Sequence, residues 1–425
     1  MISTSGAEAT SAGRETRVRQ WWAAVRFPVV AFAAVAVVLY AVAELSFRLL
    51  PHAPISPHGF PDYRGFNAWT RWDTDWYVHI ARLGYYYDGP GKQSAVAFFP
   101  GYPAAIRAVM VVLGNAIVSG VVVTYLAGLS AAVLLYRWCQ GALGTAAARA
   151  AVLALVLFPF AYYLFGAVYS DALFLAAALG AFVLLEHGHP WLSGTVGVLA
   201  VATRPFGLLL TVALAIRALE LRGVLAGAPG PFTGVAPAGR PPLRTPWLSR
   251  IRLRALNWRD AGVLVSVVGF AGYCLLLWRR FGDPFAFRKV YSADGWGKTW
   301  NAHTMLKVEF FRHLRVGPLL DYVHIYLSAQ AVLTLIGVAL IPLVFRRLGW
   351  GYGVYALLTL VVPALGTQEF LSTGRYALAV FPCFAVAGAL LAGDLRPRLA
   401  RAWFVLSGIG GAFMMSLYAR WYFIS

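Results

Sequence analysis

Between Arg71 and Gly89 the chain reads RWDTDWYVHIARLGYYYDG, a stretch that sets three acids, two tryptophans and four tyrosines side by side. Carboxylates held against aromatic walls are poorly solvated, which tunes their acidity, so Asp73, Asp75 and Asp88 suit the abstraction of a proton from a hydroxyl. Asp73-Thr74-Asp75 is also a DxD tripeptide, a pattern that in soluble nucleotide-sugar enzymes holds a divalent metal against a diphosphate. In a helix these two side chains point about 200° apart and cannot share one ion, and no βαβ pattern with a nucleotide-binding loop accompanies them. A nucleotide donor is therefore not expected. A divalent metal is compatible with the pattern but not required by it, and no dedicated ligand cluster is visible.

Other residues suit the binding of an anion or a sugar. Arg204, Arg375, Lys289, Arg288 and His79 are the candidate phosphate ligands, because a phosphate leaving group needs cationic or hydrogen-bonding partners. Asp171, Asp283, Trp76, Tyr77 and Trp296 are the candidate sugar or acceptor contacts, with Trp300 a second external tryptophan. Each also has a purely structural reading. Asp73 and Asp171 are good helix caps, Asp283-Pro284 is a turn signal, Arg204 is placed to pair with Asp171, and Arg375 and the tryptophans suit an interfacial belt.

The elements that must carry these residues are membrane helices. Of 425 residues, 60% are apolar and 12% charged, and the apolar residues come in runs too long for soluble core helices. The formal charge of +19 invites a nucleic-acid reading, but the arginines concentrate in alternate connections, which is the positive-inside pattern, and no nucleic-acid partner is expected. Roughly eleven spans of a ~30 Å bilayer follow: near 27–50, 115–136, 150–165, 172–186, 192–203, 205–219, 261–279, 320–345, 350–366, 375–393 and 402–420. Thr203-Arg204-Pro205 breaks the short pair at its middle. The first run, Phe27 to Leu50, follows Arg14, Arg17, Arg19 and Arg26 with no cleavage site after it and reads as a retained span.

This topology gives a cytoplasmic basic N-terminus (1–26) and a transmembrane domain (27–425). Residues 51–114 form an external loop bearing the acids, and 220–260 a cytoplasmic basic loop, disordered in part around Gly223 to Pro246. Thr74 to Leu83 holds no Gly or Pro, Asp73 precedes it and Gly84 follows it, so a short interfacial helix is expected there with Trp76, Tyr77 and Ile80 on one side. Cys139, Cys274 and Cys383 lie far apart and read as small core residues. No tandem repeat is visible, and no extended heptad fixes an oligomeric state.

A family resemblance rests on these same residues. W-D-x-x-W-Y-x-x-I-A-x-x-G-Y (Trp72 to Tyr85), followed by A-F-F-P-G-Y-P (Ala97 to Pro103), resembles the first luminal loop of the PIG-V mannosyltransferases, which add the second mannose in GPI-anchor assembly, and of their bacterial relatives. FPFAYYLFGAVYSDALF (Phe158 to Phe174), LAVATRPFGLLL (Leu199 to Leu210), FGDPFAF (Phe281 to Phe287) and STGRYALAVFPCF (Ser372 to Phe384) are similar to later stretches of the family in the same order. The resemblance implies an all-α GT-C glycosyltransferase fold and a polyprenyl-phosphate-linked sugar donor, with inverting transfer on the outer face. By motif match Asp73 is then the general base and Asp75 the second acid. The acceptor is left open among glycolipid, glycan and protein.

The expectation is thus a multi-pass plasma-membrane mannosyltransferase with its N-terminus in the cytoplasm. A carrier or flippase for a lipid-linked sugar or anionic lipid would share the intramembrane cations and the broken span, but should hold its polar residues near the midplane. A non-catalytic subunit of a glycan-assembly complex is the other alternative.

Overall fold

The computed structural model describes residues 5–54, 65–225, 255, 257–293, 296, 301–316 and 321–424, with residues 5–21 and 394 described by backbone alone. The expected disordered segment, Gly223 to Pro246, falls mostly outside these residues, as does Trp300. Among the described residues the chain is helical, with no β-strand.

The long α1 (Ser5–Leu49) leads through the first loop to α2 (Thr74–Leu83) and α3 (Gly101–Leu113). Next come α4 (Ala116–Leu143), α5 (Thr145–Val156), α6 (Asp171–Glu186), α7 (Pro190–Val201) and α8 (Leu208–Leu221). A 3-10 stretch, Trp258–Val267, runs into α9 (Val268–Phe281), and the short α10 (Ala286–Lys289), α11 (Ala302–Met305) and α12 (Val308–His313) follow. The chain closes with α13 (Tyr322–Leu348), α14 (Trp350–Gly366), α15 (Thr373–Leu378), α16 (Phe381–Ala389) and α17 (Pro397–Ala419).

Five helices are long and apolar enough to cross a membrane by length and composition: Trp22–Leu49, Ala116–Leu143, Trp258–Phe281, Tyr322–Leu348 and Pro397–Ala419. The other expected spans fall on shorter helices. The run 150–165 is not one helix, since α5 stops at Val156 and Pro159 opposes helical geometry in the residue before it. The run 375–393 is likewise divided between α15 and α16, where Val380 leaves the helical region and Pro382 restarts it. Thr203-Arg204-Pro205 does separate α7 from α8, with Arg204 extended at φ −161°, ψ 155°. Aliphatics on α1 and α17, among them Val37, Val38, Leu406 and Ile409, remain exposed and form the surface that hydrocarbon would cover.

Close backbone approach draws the middle of the chain together. A Cβ on Gly128 of α4 would lie 2.1 Å from the Leu164 carbonyl oxygen, so only glycine lets the 3-10 turn Ala161–Leu164 seat there. That turn leads to Tyr169-Ser170-Asp171 and so fixes where α6 begins.

The two ends of α6, about 22 Å apart, hold two different charged clusters. At its C-terminal end Arg217 donates to Glu186 (2.7 Å) and Glu220 (3.1 Å). Tyr352 donates to Glu186 and Trp138 to Tyr352, while Glu220 accepts the first amides of α14 from Trp350 and Gly351. A carboxylate suits that helix end because free N–H groups and the positive dipole end meet there. Arg217, inside the expected span 205–219, is fully buried and knits α6, α8 and α14. The second cluster occupies the other end.

Candidate active site

Arg71 opens the site, and sequence reasoning passed over it. Its side chain is 2% exposed and has no carboxylate partner among the described residues. It donates instead to the carbonyls of Asn67, Thr70 and Ala419 and lies 4.3 Å from the Trp421 ring centroid. The first loop is thereby fastened to the end of α17. Trp72 follows at φ +53°, a left-handed backbone uncommon for a bulky residue, with its ring edge-on to Trp421 and Phe423.

α2 begins at Thr74 and ends at Gly84, whose φ of +89° and bond to Ile80 close the helix. Its bounds match the expectation, but its cap does not. Asp73 occupies the capping position without bonding the helix amides, and its Oδ2 accepts from Arg375 Nη1 at 3.0 Å instead. The carboxylate is spent on a residue 302 positions away, so the purely capping reading of Asp73 is corrected. Thr74 serves the bend locally, its Oγ1 accepting from the Arg71 amide.

Arg375, at the start of α15, also approaches Asp171 Oδ2 (3.9 Å), and Asp171 Oδ1 pairs with Arg204 at 2.9 Å. An alternating chain Asp73–Arg375–Asp171–Arg204 results, with the last three side chains no more than 12% exposed and Asp73 26% exposed. Two acids and two arginines cancel formally, as burial demands. The arginines are nevertheless not fully used, because Arg204 Nε and Arg375 Nε are buried without a hydrogen-bond partner among the described residues. Aromatic faces complete the wall: Arg204 lies over Phe174 (4.7 Å), and Arg375 over Tyr169 (5.0 Å) and Tyr163 (5.7 Å). Tyr77 donates to Ser170 (3.2 Å), which ties α2 to the turn before α6. Asp171 is the first residue of α6, yet its carboxylate serves both arginines.

The remaining candidates gather elsewhere. Trp76 stacks on Phe98 (5.5 Å, 15°) and meets Trp296 edge-on at 5.6 Å, while Tyr77, edge-on to Phe98, links this aromatic group to the charged chain. His79 packs edge-on against Tyr86. Asp75 is exposed, although the surrounding protein mass desolvates its carboxyl enough to raise its pKa to about 6. Asp73 and Asp75 are thus separated in role, and among the described residues no group of three or more His, Cys, Asp or Glu converges as for a metal ion. Lys289 and Asp283 pair with each other at 2.7 Å, and Asp283 also accepts from the Phe285 amide; neither joins the chain of four. Arg288 is exposed.

Fold and site together define a multi-helix, apolar protein with a buried, charge-balanced acid–arginine chain at one end of its helices. Residues 62–221 match the family model described as Mannosyltransferase (PIG-V), a stretch that contains Asp73, Asp171 and Arg204 but not Arg375. The chain is similar over 151 residues, at 33% identity, to GPI alpha-1,6-mannosyltransferase 2 of Cricetulus griseus, covering 33% of this chain and 29% of that enzyme. Among solved structures, ArnT of Cupriavidus metallidurans bound to undecaprenyl phosphate aligns with a TM-score of 0.47 at 14% identity, over 93% of this chain and 76% of the other. AglB of Archaeoglobus fulgidus, an oligosaccharyltransferase in complex with an inhibitory peptide and a dolichol-phosphate, aligns at 0.44 and 13% identity, over 92% and 55%.

Proposed function

We propose that the protein is a plasma-membrane glycosyltransferase of the GT-C type that moves a mannosyl residue from a polyprenyl-phosphate donor to an acceptor hydroxyl on the outer face. The observation that carries this reading is the family match over residues 62–221, taken with the ion pair between its motif acid, Asp73, and a buried arginine that has a donor to spare. The donor enters from the bilayer, and its phosphate takes the unspent N–H groups of Arg204 and Arg375. As the phosphate draws on Arg375, Asp73 gives up part of its ion pair and becomes available as a base.

The bonds then change in one displacement. The acceptor O–H proton passes to the Asp73 carboxylate, the acceptor oxygen bonds to C1 of the sugar, and the C1–O bond to phosphate breaks with its electron pair leaving on the polyprenyl phosphate. Attack opposite the leaving group inverts the anomeric centre. The arginines stabilise charge that grows on the leaving oxygen, an interaction stronger in the transition state than in the ground state. Trp76 and Trp296 supply faces on which a sugar ring packs.

The test uses purified protein in nanodiscs with radiolabelled polyprenyl-phosphate mannose and a membrane-lipid extract. Wild type should form a labelled glycoside, and folded Asp73→Asn should be slower by about a hundredfold or more. Near-normal turnover by Asp73→Asn would remove the base assignment. Label crossing a liposome bilayer with no new glycosidic bond would instead support a carrier.

A further inference from the structure

We infer that Tyr169 is the positioning residue that sets Asp73 in place, acting through the backbone and not through substrate. The inference rests on the transferase reading for its kinetic consequence but not for its geometry. The Tyr169 hydroxyl donates to the Arg71 carbonyl at 3.2 Å and accepts from the Asp73 amide at 3.1 Å. One hydroxyl therefore spans both peptide groups that flank Trp72, the residue held at φ +53°. An L-residue does not rest in that conformation unless its surroundings impose it, and a splint on the peptide before and the peptide after is such an imposition.

The kink decides where the carboxylate goes. Asp73 follows the left-handed residue directly, and its side chain turns away from the α2 amides toward Arg375. Were Trp72 to relax into an ordinary backbone region, the Asp73 side chain would be re-aimed, and its natural local partner is the open N-terminus of α2.

Tyr169 is itself immobilised. It is fully buried, with edge contacts to Tyr77 (6.2 Å) and Tyr163 (4.8 Å) and the Arg375 guanidinium above its ring. The next two residues complete the device, Ser170 accepting from Tyr77 and Asp171 holding both arginines. Three consecutive residues thus fix the acid by its main chain and its cationic partners by their side chains, so loop and arginines keep register with each other.

The experiment is Tyr169→Phe, which keeps the ring and removes the hydroxyl. Hydrogen exchange by mass spectrometry on the full-length protein in nanodiscs should show amides in the Trp72–Trp76 peptide exchanging about tenfold faster, as expected for loss of an accepted hydrogen bond and its partner. Turnover should fall about tenfold or more in kcat with the donor KM within about twofold, the pattern of a transition-state effect. Unchanged exchange, or a change confined to KM, would overturn the inference. Faster exchange in Tyr169→Phe when wild type forms no glycoside would instead overturn the transferase reading and leave the splint standing. If Tyr169→Phe does not fold, the Trp72→Gly/Tyr169→Phe pair is the second arm. Glycine adopts the left-handed backbone unaided, so the pair should recover folding and part of the turnover, and no recovery would overturn the inference.

Discussion

Asp73 and Asp75 are neighbours in sequence and opposites in surroundings. Asp73 is engaged across the bundle by Arg375 at 3.0 Å. Among the described residues Asp75 has no such partner, and desolvation raises its pKa from 3.8 to about 6. Because the folded-state value lies above the unfolded one, the protonated form favours folding. Stability from this group is full below about pH 4, declines as pH rises toward 6 and is level above that. Asp75→Asn should flatten this slope in melting temperatures taken from pH 4 to 8. Asp73→Asn should act on rate, lowering turnover by about a hundredfold or more, with donor binding near normal in a filter or calorimetric assay.

At the scale of elements, the site is assembled where helices begin. α2, α6 and α15 each bring a charged residue at or near the N-terminal end, and the break before α8 brings Arg204. Glycine contacts decide whether those starts coincide. Gly128→Ala gains about 1 kcal/mol of helix propensity but pushes a methyl to 2.1 Å from the Leu164 carbonyl, and overpacking of that kind costs about 1–3 kcal/mol or more. The clash wins, so the variant should melt lower than wild type. It should also lose turnover beyond what the melting shift explains, since the displaced turn leads into Tyr169 and Asp171.

For the whole molecule, the decisive feature is that the two charged clusters lie at opposite ends of the helices. The Asp73–Arg375–Asp171–Arg204 chain is at one end and the Glu186–Arg217–Glu220 cluster at the other. A carrier would be served by charge at mid-depth with access from both sides, whereas a surface enzyme would be served by charge at one face. With the first cluster on the outer face, Lys92→Cys should react with an impermeant maleimide added to intact cells, while Arg346→Cys should react only after permeabilisation. Both positions are exposed. Cys139 and Cys383 are buried, so only Cys274 needs prior replacement. The reverse labelling would place the site on the inner face and end the outer-face proposal.

The sequence by itself determined what is local or periodic. Apolar run length announced the membrane helices, the absence of breakers from Thr74 to Leu83 with Gly84 beyond gave α2, and Thr203-Arg204-Pro205 announced the break between α7 and α8. Composition also marked Asp73, Asp171, Arg204 and Arg375 as charges that an apolar chain must pair or put to use. Tertiary structure alone decided how those charges are spent. Asp73 and Arg375 lie 302 positions apart, and no spacing rule reaches that far, so the acid that reads as a cap is paired across the bundle. Arg71, Tyr169 and the buried Arg217 escaped for the same reason. Their partners are backbone carbonyls, a kinked peptide and acids on other helices, and such groups leave no signature near the residue they hold. Burial then makes those distant partners obligatory, because a charge or hydroxyl removed from water must find them wherever the fold puts them.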